Sequence, residues 1–247
     1  MSPRTVHLRV PATCRPRGSR DRERSAITES IEEYVEGIWR LQQEVASVGT
    51  GDLAQYMNVA PASVSPMLRR LAEHGLVAHT PYQGVRCTAR GHDMAVSLLR
   101  KHRLLECLLV DLLGLPWDGV HELACKLEHH ISDDVANRIA SVVGHPDTCP
   151  HGNPIDATRT DEAVRLADVG VGQAVVVARV TDERAEFLAY LLEVGLVPPA
   201  RALVLERPPF GDVMTLRLDD ARRTVPVGRE VANAVWVRRE ANGGSPR

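Results

Sequence analysis

The sequence predicts a mainly α fold with added β structure, and three observations predict it. Apolar side chains recur at helical spacing between residues 27 and 143, two short strand-like runs flank a turn ending at Gly84, and four alternating runs follow residue 173. With 247 residues, 44% hydrophobic and 25% charged side chains, the chain has the balance of a globular protein and the length for two or three small domains. Its longest apolar runs, such as Leu108-Leu109-Val110, fall far short of the roughly 20 residues that cross a bilayer. No membrane partner is expected.

Residues 1–24 set Arg4, Arg9, Arg15, Arg17, Arg20, Arg22 and Arg24 among Pro, Ser and Gly, with too few apolar groups to bury a core. They are expected to form a disordered basic tail. Asp21, Glu23 and the missing amphipathic stripe argue against a transit peptide, and no secretory apolar segment is present, so the expected location is cytoplasmic. The five cysteines, Cys14, Cys87, Cys107, Cys125 and Cys149, are odd in number and scattered, which predicts reduced thiols. A formal net charge of -2 excludes a protein that coats nucleic acid indiscriminately, so any DNA contact needs a local patch.

Taking the elements in order, Ile31, Tyr34, Val35, Ile38 and Leu41 predict an amphipathic helix from Ile27 to about Glu44, with Thr28 as N-cap. Thr50-Gly51-Asp52 opens a second helix through Leu53 and Met57, and Asn58-Val59-Ala60 breaks it. A third runs from Pro61 through Val64, Met67, Leu68 and Leu71 to a stop at Gly75, with Pro66 early enough to be tolerated. Leu76–Thr80 and Val85–Thr88 then read as a hairpin around Pro81–Gly84. Helix, helix, turn, helix, hairpin is the order of a winged helix-turn-helix, expected over 25–96; a small α+β domain with no nucleic acid to read is the alternative.

A long helix is predicted from Gly91 to Leu112, another from Trp117 to about Ser132, and a third from Ser132 to Val143. Helices this apolar on one side, with no sheet beside them, suit packing against a second copy, so a homodimer is expected, built on a helical domain over 97–147. Gly144–Arg159 is rich in breakers and reads as a linker, with the linker between the domains placed over 148–163. Alternating runs at Ala174–Val180, Ala202–Leu205, Met214–Leu218 and Val235–Val237, with a short helix at Glu186–Glu193, predict a small β-barrel over 164–239, followed by a short tail at 240–247.

Metal-capable side chains stand in groups at helical spacing. Glu33 and Glu36 are i, i+3, His102 and Glu106 are i, i+4, and Cys125, Glu128 and His129 follow His121 by one and two turns. Along 121–131 these residues share one side of the helix, while Val120, Leu123, Ala124, Leu127 and Ile131 point roughly 120° away. Thiolate, imidazole and carboxylate together are a first-row transition-metal mixture; hard oxygen alone would suit magnesium or calcium.

Thr28–Leu41, Ala60–Gly75, Arg100–Glu106, His121–Ser132 and Gly152–Ile155 resemble the diphtheria toxin repressor family of iron- and manganese-dependent regulators, from about residue 26 onward. The resemblance implies a metal-dependent repressor binding operator DNA as a homodimer, with two metal sites per subunit and an SH3-like, FeoA-like barrel at the C-terminus. It implies that Glu33, Cys125, Glu128 and His129 form the activating site and that His102, Glu106 and His121 form an ancillary one, joined by Glu183 and Glu186 from the barrel. Glu36 matches a ligand of the manganese branch. An acid at position 33 beside a cysteine at 125 mixes the two branches; the reading favours Mn(II), with Fe(II) as the alternative.

For DNA, the third helix is the expected reader. Pro61, Ala62, Ser63, Ser65 and Pro66 are small enough for close approach, Arg69 and Arg70 suit phosphates, and Tyr82, Gln83 and Arg86 belong to the wing. A metalloenzyme is disfavoured because no His-Glu-x-x-His motif is present, so neither enzymatic turnover nor a small organic substrate is expected. The remaining rival is a winged-helix regulator that senses oxidant or ligand through its cysteine or histidines.

Overall fold

A computed structural model describes residues 27–80, 83–159, 161–208, 212–218 and 223–240. The expected basic tail, Tyr82 and residues 241–247 lie outside the described residues.

The first helix, α1 (Glu29–Leu41), forms because Ile31, Tyr34, Val35 and Ile38 make one buried stripe, with Glu29 and Glu32 at its positive end and Arg40 at its negative end. It is shorter at both ends than the periodicity predicted. Thr28 has the extended backbone of an N-cap, although its hydroxyl makes no capping bond. α2 (Thr50–Tyr56) and α3 (Pro61–Glu73) follow, separated by a tight turn in which Asn58 takes φ 50°. Asparagine tolerates that left-handed backbone better than most residues. β1 (Val77–Thr80) and β2 (Gly84–Cys87) pair antiparallel, and Val48 exchanges both backbone bonds with Val85 at 3.0 and 2.9 Å. Ile31, Val35, Ile38, Leu53, Val64, Leu68, Leu71 and Val85 close one core beneath this winged helix-turn-helix.

α4 (Ala89–Cys107) leaves the wing capped by the Thr88 hydroxyl, which accepts from Gly91 N at 3.2 Å. Ala95 and Leu99 belong to the first core and Leu104 and Leu105 to the second, so this one helix joins the winged domain to the helical domain. It continues as a π-helical turn at Leu108–Leu112. α5 (Val120–Glu128) is shorter than predicted because Gly119 precedes it and the chain leaves helical bonding after His129. α6 (Asp133–Val142) starts on Ser132, whose hydroxyl accepts from Val135 N at 3.3 Å.

The breaker-rich stretch after α6 differs from a free linker: it is packed. Cys149 N donates to Asn153 O, Val180 N donates to His151 O, and Cys149, His151 and Asn153 are buried. A six-stranded antiparallel sheet follows in the order β3-β8-β4-β5-β6-β7. Its strands are β3 (Val164–Arg165), β4 (Ala174–Val180), β5 (Arg201–Glu206), β6 (Val213–Leu218), β7 (Thr224–Gly228) and β8 (Val235–Arg239). Bulges at Val177/Arg179 and Val204/Glu206 bend it around a core of Val175, Val177, Leu188, Leu191, Leu216 and Val237. α7 (Ala185–Val194) and α8 (Arg229–Ala234) pack with it. β3 and β7 were not foreseen, one being two residues long and the other interrupted by Pro226.

Candidate metal centre

The site is built where α4, α5, the Gly144–Arg159 segment and the loop before α7 meet. His102 is its hub. Its Nδ1 lies 2.6 Å from Glu128 Oε2 on α5 and its Nε2 lies 3.0 Å from Glu106 Oε1, one turn along α4. His121 Nδ1 approaches His102 Nε2 to 3.1 Å, and Cys125 Sγ stands 3.6 Å from His121 Nε2 and 3.9 Å from His102 Nδ1. The i, i+4 spacing of His102 with Glu106 and of His121 with Cys125 therefore does place each pair on a shared face.

The β domain completes the cluster. Glu183, just before α7, brings Oε2 to 3.2 Å from His121 Nδ1, while its Oε1 accepts from Asn153 Nδ2 at 2.9 Å. His151 Nδ1 lies 3.0 Å from Glu106 Oε1, and its Nε2 lies 2.9 Å from Trp117 O. Three overlapping groups result: His102, His121 and Cys125; His102, Glu106, His121 and Glu183; and Glu106, Cys149, His151 and Glu183, each with its ligand-type atoms within 4.8 Å of one another. Gly152 makes this approach possible. At φ +84° it lies so close to the sheet that an added Cβ would meet Ala178 O at 2.0 Å.

Electrostatics favour a shared cation. Glu106 is fully buried; its Oε1 faces His102 and His151, and its Oε2 has no hydrogen-bond partner among the described residues, which leaves a buried acceptor without a donor. Burial opposes charge on His102, but Glu106, Cys125 and Glu128 hold its pKa well above the ordinary imidazole value. Burial likewise opposes charge on His121, and hydrogen bonds from its ring to Cys125, Glu106 and Glu183 carry it up to about 11. The Cys125 thiol, despite burial, is pulled below its usual range by His102 and His121. Two thiols, three imidazoles and two carboxylates fit a divalent transition-metal ion.

Other residues take different places. Glu33 is exposed on α1, whereas its neighbour Glu32 reaches His129 Nδ1 at 2.7 Å; His129 Nε2 is 3.5 Å from Glu128. Glu36 is engaged by Arg40, whose Nε donates at 2.8 Å. Glu186 is exposed in the first turn of α7. Cys149, His151, Glu32 and Arg40 join the site in addition to the residues that the sequence predicts. On the DNA-reading side, Pro61, Ala62, Ser63, Ser65, Pro66, Arg69 and Arg70 are all exposed along α3, as are Gln83 and Arg86 on the wing. Val64, Leu68 and Leu71 anchor the opposite face of α3 in the core.

Comparison with known proteins matches this arrangement module by module. Residues 26–85 match the family described as iron dependent repressor, N-terminal DNA binding domain. Residues 88–157 match iron dependent repressor, metal binding and dimerisation domain, and residues 164–239 match the FeoA domain. The iron-dependent repressor IdeR of Mycobacterium leprae is 34% identical over 227 residues, covering 85% of this chain and 97% of that protein. The diphtheria toxin repressor of Corynebacterium diphtheriae is 32% identical over 148 residues, covering 60% and 62%. A solved manganese-dependent transcriptional repressor in complex with manganese superposes with a TM-score of 0.79 at 35% identity, covering 85% of this chain and 100% of that one.

Proposed function

The chain belongs to the iron-dependent repressor family that includes the diphtheria toxin repressor, and from that premise we propose that it represses metal-homeostasis genes as a cytoplasmic homodimer activated by Mn(II). Its action is recognition of DNA, without enzymatic turnover or a small organic substrate. The observation that carries the reading is the convergence of His102, Glu106, His121 and Glu183, whose ligand-type atoms lie within 4.8 Å of one another.

Two sites per subunit are assigned. His102, Glu106, His121 and Glu183 would hold one ion, with Cys149 and His151 beside them; Cys125, Glu128, His129 and an acid of α1, Glu33 from the sequence or the Glu32 that faces His129, would hold the other. Glu36 and Glu186 remain candidates for the outer edge of each. A divalent ion supplies the positive charge that lets these carboxylates stay together. The residues do the rest: α4 and α5 present His102, Glu106, His121, Cys125 and Glu128 from the helical domain, and α1 presents its acids from the reading head. Holding both sets at once fixes the head against the subunit-pairing helices, and the ligand set favours the DNA-competent arrangement by its differential affinity alone.

The dimer face is assigned to the exposed apolar residues of the helical domain, Leu112, Leu113, Leu115, Leu123, Leu127, Val135 and Val142. The exposed edge of α3, with Arg69, Arg70, Gln83 and Arg86, is assigned to operator DNA, and Tyr82 is placed with the wing from sequence. Ferrous iron is the second reading, favoured by the thiols of Cys125 and Cys149 in the cluster.

A duplex selected from a random pool by the Mn(II)-loaded protein supplies the test. Fluorescence anisotropy with Mn(II), with anaerobic Fe(II) and with chelator is expected to show tight binding in metal and weak binding in chelator. Equal affinity in chelator would overturn the proposal.

A further inference from the structure

Arg40 stands at a junction that ligand geometry alone does not explain. It lies in the last turn of α1, donates from Nε to Glu36 Oε1 at 2.8 Å, and brings a terminal nitrogen to 3.7 Å from Glu183 Oε2. That Glu183 oxygen also faces His121 Nδ1 at 3.2 Å. Glu183 is largely buried and its other oxygen is held by Asn153 at 2.9 Å, so the carboxylate is fixed between the metal cluster on one side and a guanidinium of the reading head on the other. Arg165 and Glu44 make a second bridge between β domain and reading head at 2.7 Å, but Glu44 is mostly exposed there. Such a surface pair contributes little.

We infer that Arg40 is a positioning residue that couples Glu183, a candidate metal ligand of the β domain, to Glu36 and hence to α1 of the DNA-reading head. This rests on the metal-dependent repressor reading above and adds a route to it. The planar fork of arginine can satisfy two carboxylates in fixed directions, which a lysine point charge cannot. When Glu183 is drawn into the metal cluster, Arg40 keeps Glu36 in register with it. The last turns of α1 are thereby held in place from the β domain, in addition to any hold through Glu33.

The variant Arg40→Met separates this role from mere shaping of the site. Removing a cation beside Glu183 leaves the cluster at least as attractive to Mn(II). Titration is therefore expected to give a Kd for Mn(II) equal to or tighter than that of the full-length wild type. The gain in operator affinity on adding Mn(II) is expected to fall about tenfold, within the usual span of such couplings. Hydrogen exchange gives a readout without DNA: Mn(II) is expected to slow exchange in residues 37–41 of the wild type and to leave those of the variant unchanged. Glu36→Gln cuts the other end, with the same expected loss at Mn(II) concentrations that saturate the variant by titration, and the double variant should lose no more than either single one.

If Arg40→Met does not fold, Glu36→Gln with normal metal-linked gain and normal exchange overturns the inference. Weaker Mn(II) binding in Arg40→Met that accounts for the whole loss in operator affinity also overturns it. A wild type with no metal-linked gain sinks the repressor reading as well. A wild-type gain retained in full by Arg40→Met sinks this inference alone.

Discussion

His102 gives one ring nitrogen to Glu128 and the other to Glu106, so a single side chain belongs to both halves of the centre. His102→Gln is therefore expected to lower metal content from about two ions per subunit to fewer than one, measured by elemental analysis after desalting. Retention of both ions would remove His102 from its assigned place. The thiols make a second residue-scale prediction. Burial pushes Cys87 up to about 11 and Cys107 up to about 12, and holds Cys149 well above its usual value, while Cys125 is lowered by its histidine neighbours. At neutral pH in metal-free protein, iodoacetamide should label Cys125 before these three, and Mn(II) should protect it. Faster labelling of Cys107 or Cys149 would contradict the assignment. Helical spacing made His102, Glu106, His121 and Cys125 legible in the sequence, because i, i+4 neighbours share a face whatever the tertiary fold. His151 and Cys149 sit two apart in a non-helical segment, where spacing carries no facing information. The choice between Glu32 and Glu33 turns on a rotation of α1 that periodicity does not resolve.

Helix identities were legible from apolar stripes and most helix ends were not, since ends depend on caps and on where neighbouring segments take over the hydrogen bonds. The stretch around Gly152 shows the cost of reading composition alone: Gly, Pro and Asn signal irregular backbone, which is correct, but irregular backbone can still be buried. Gly152→Ala would need Ala178 O to move from a 2.0 Å approach and would put a side chain at φ +84°. It is expected to destabilise the protein by more than ~1 kcal/mol, seen as a lower Tm, and to lower Mn(II) affinity by displacing His151. An unchanged Tm would show that the segment is not wedged there. On the outer faces, Leu123 and Leu127 on α5 are i, i+4, and Val135 and Val142 on α6 are i, i+7, all exposed. Leu123→Glu combined with Val142→Asp is expected to shift the protein from dimer to monomer in sedimentation. A dimer of undiminished stability would move the pairing face elsewhere.

Across the whole molecule, three modules in sequence order meet at one centre because α4 runs through two cores and the segment after α6 folds back under the sheet. The order of modules was readable in advance; their convergence was not, because it is set by contacts between residues as far apart as Glu32 and His129 or Arg40 and Glu183. Proton and metal compete for this centre. Against the opposing effect of burial, the acids and the thiol beside His102 and His121 raise both pKa values and so favour the protonated rings. Metal binding must displace those protons, so Mn(II) affinity is expected to fall as pH drops from 7.5 to 6.5, with proton release visible as a buffer-dependent heat in calorimetry. Affinity that is flat over this range, without proton release, would mean that the histidines are not ligands. The central claim is that the ion and the DNA are linked through one conformational preference, and linkage is reciprocal. The most direct test is the Kd for Mn(II) measured with and without saturating operator duplex. Operator is expected to tighten Mn(II) binding by the same factor by which Mn(II) tightens operator binding, and a Kd for Mn(II) indifferent to operator would contradict the account.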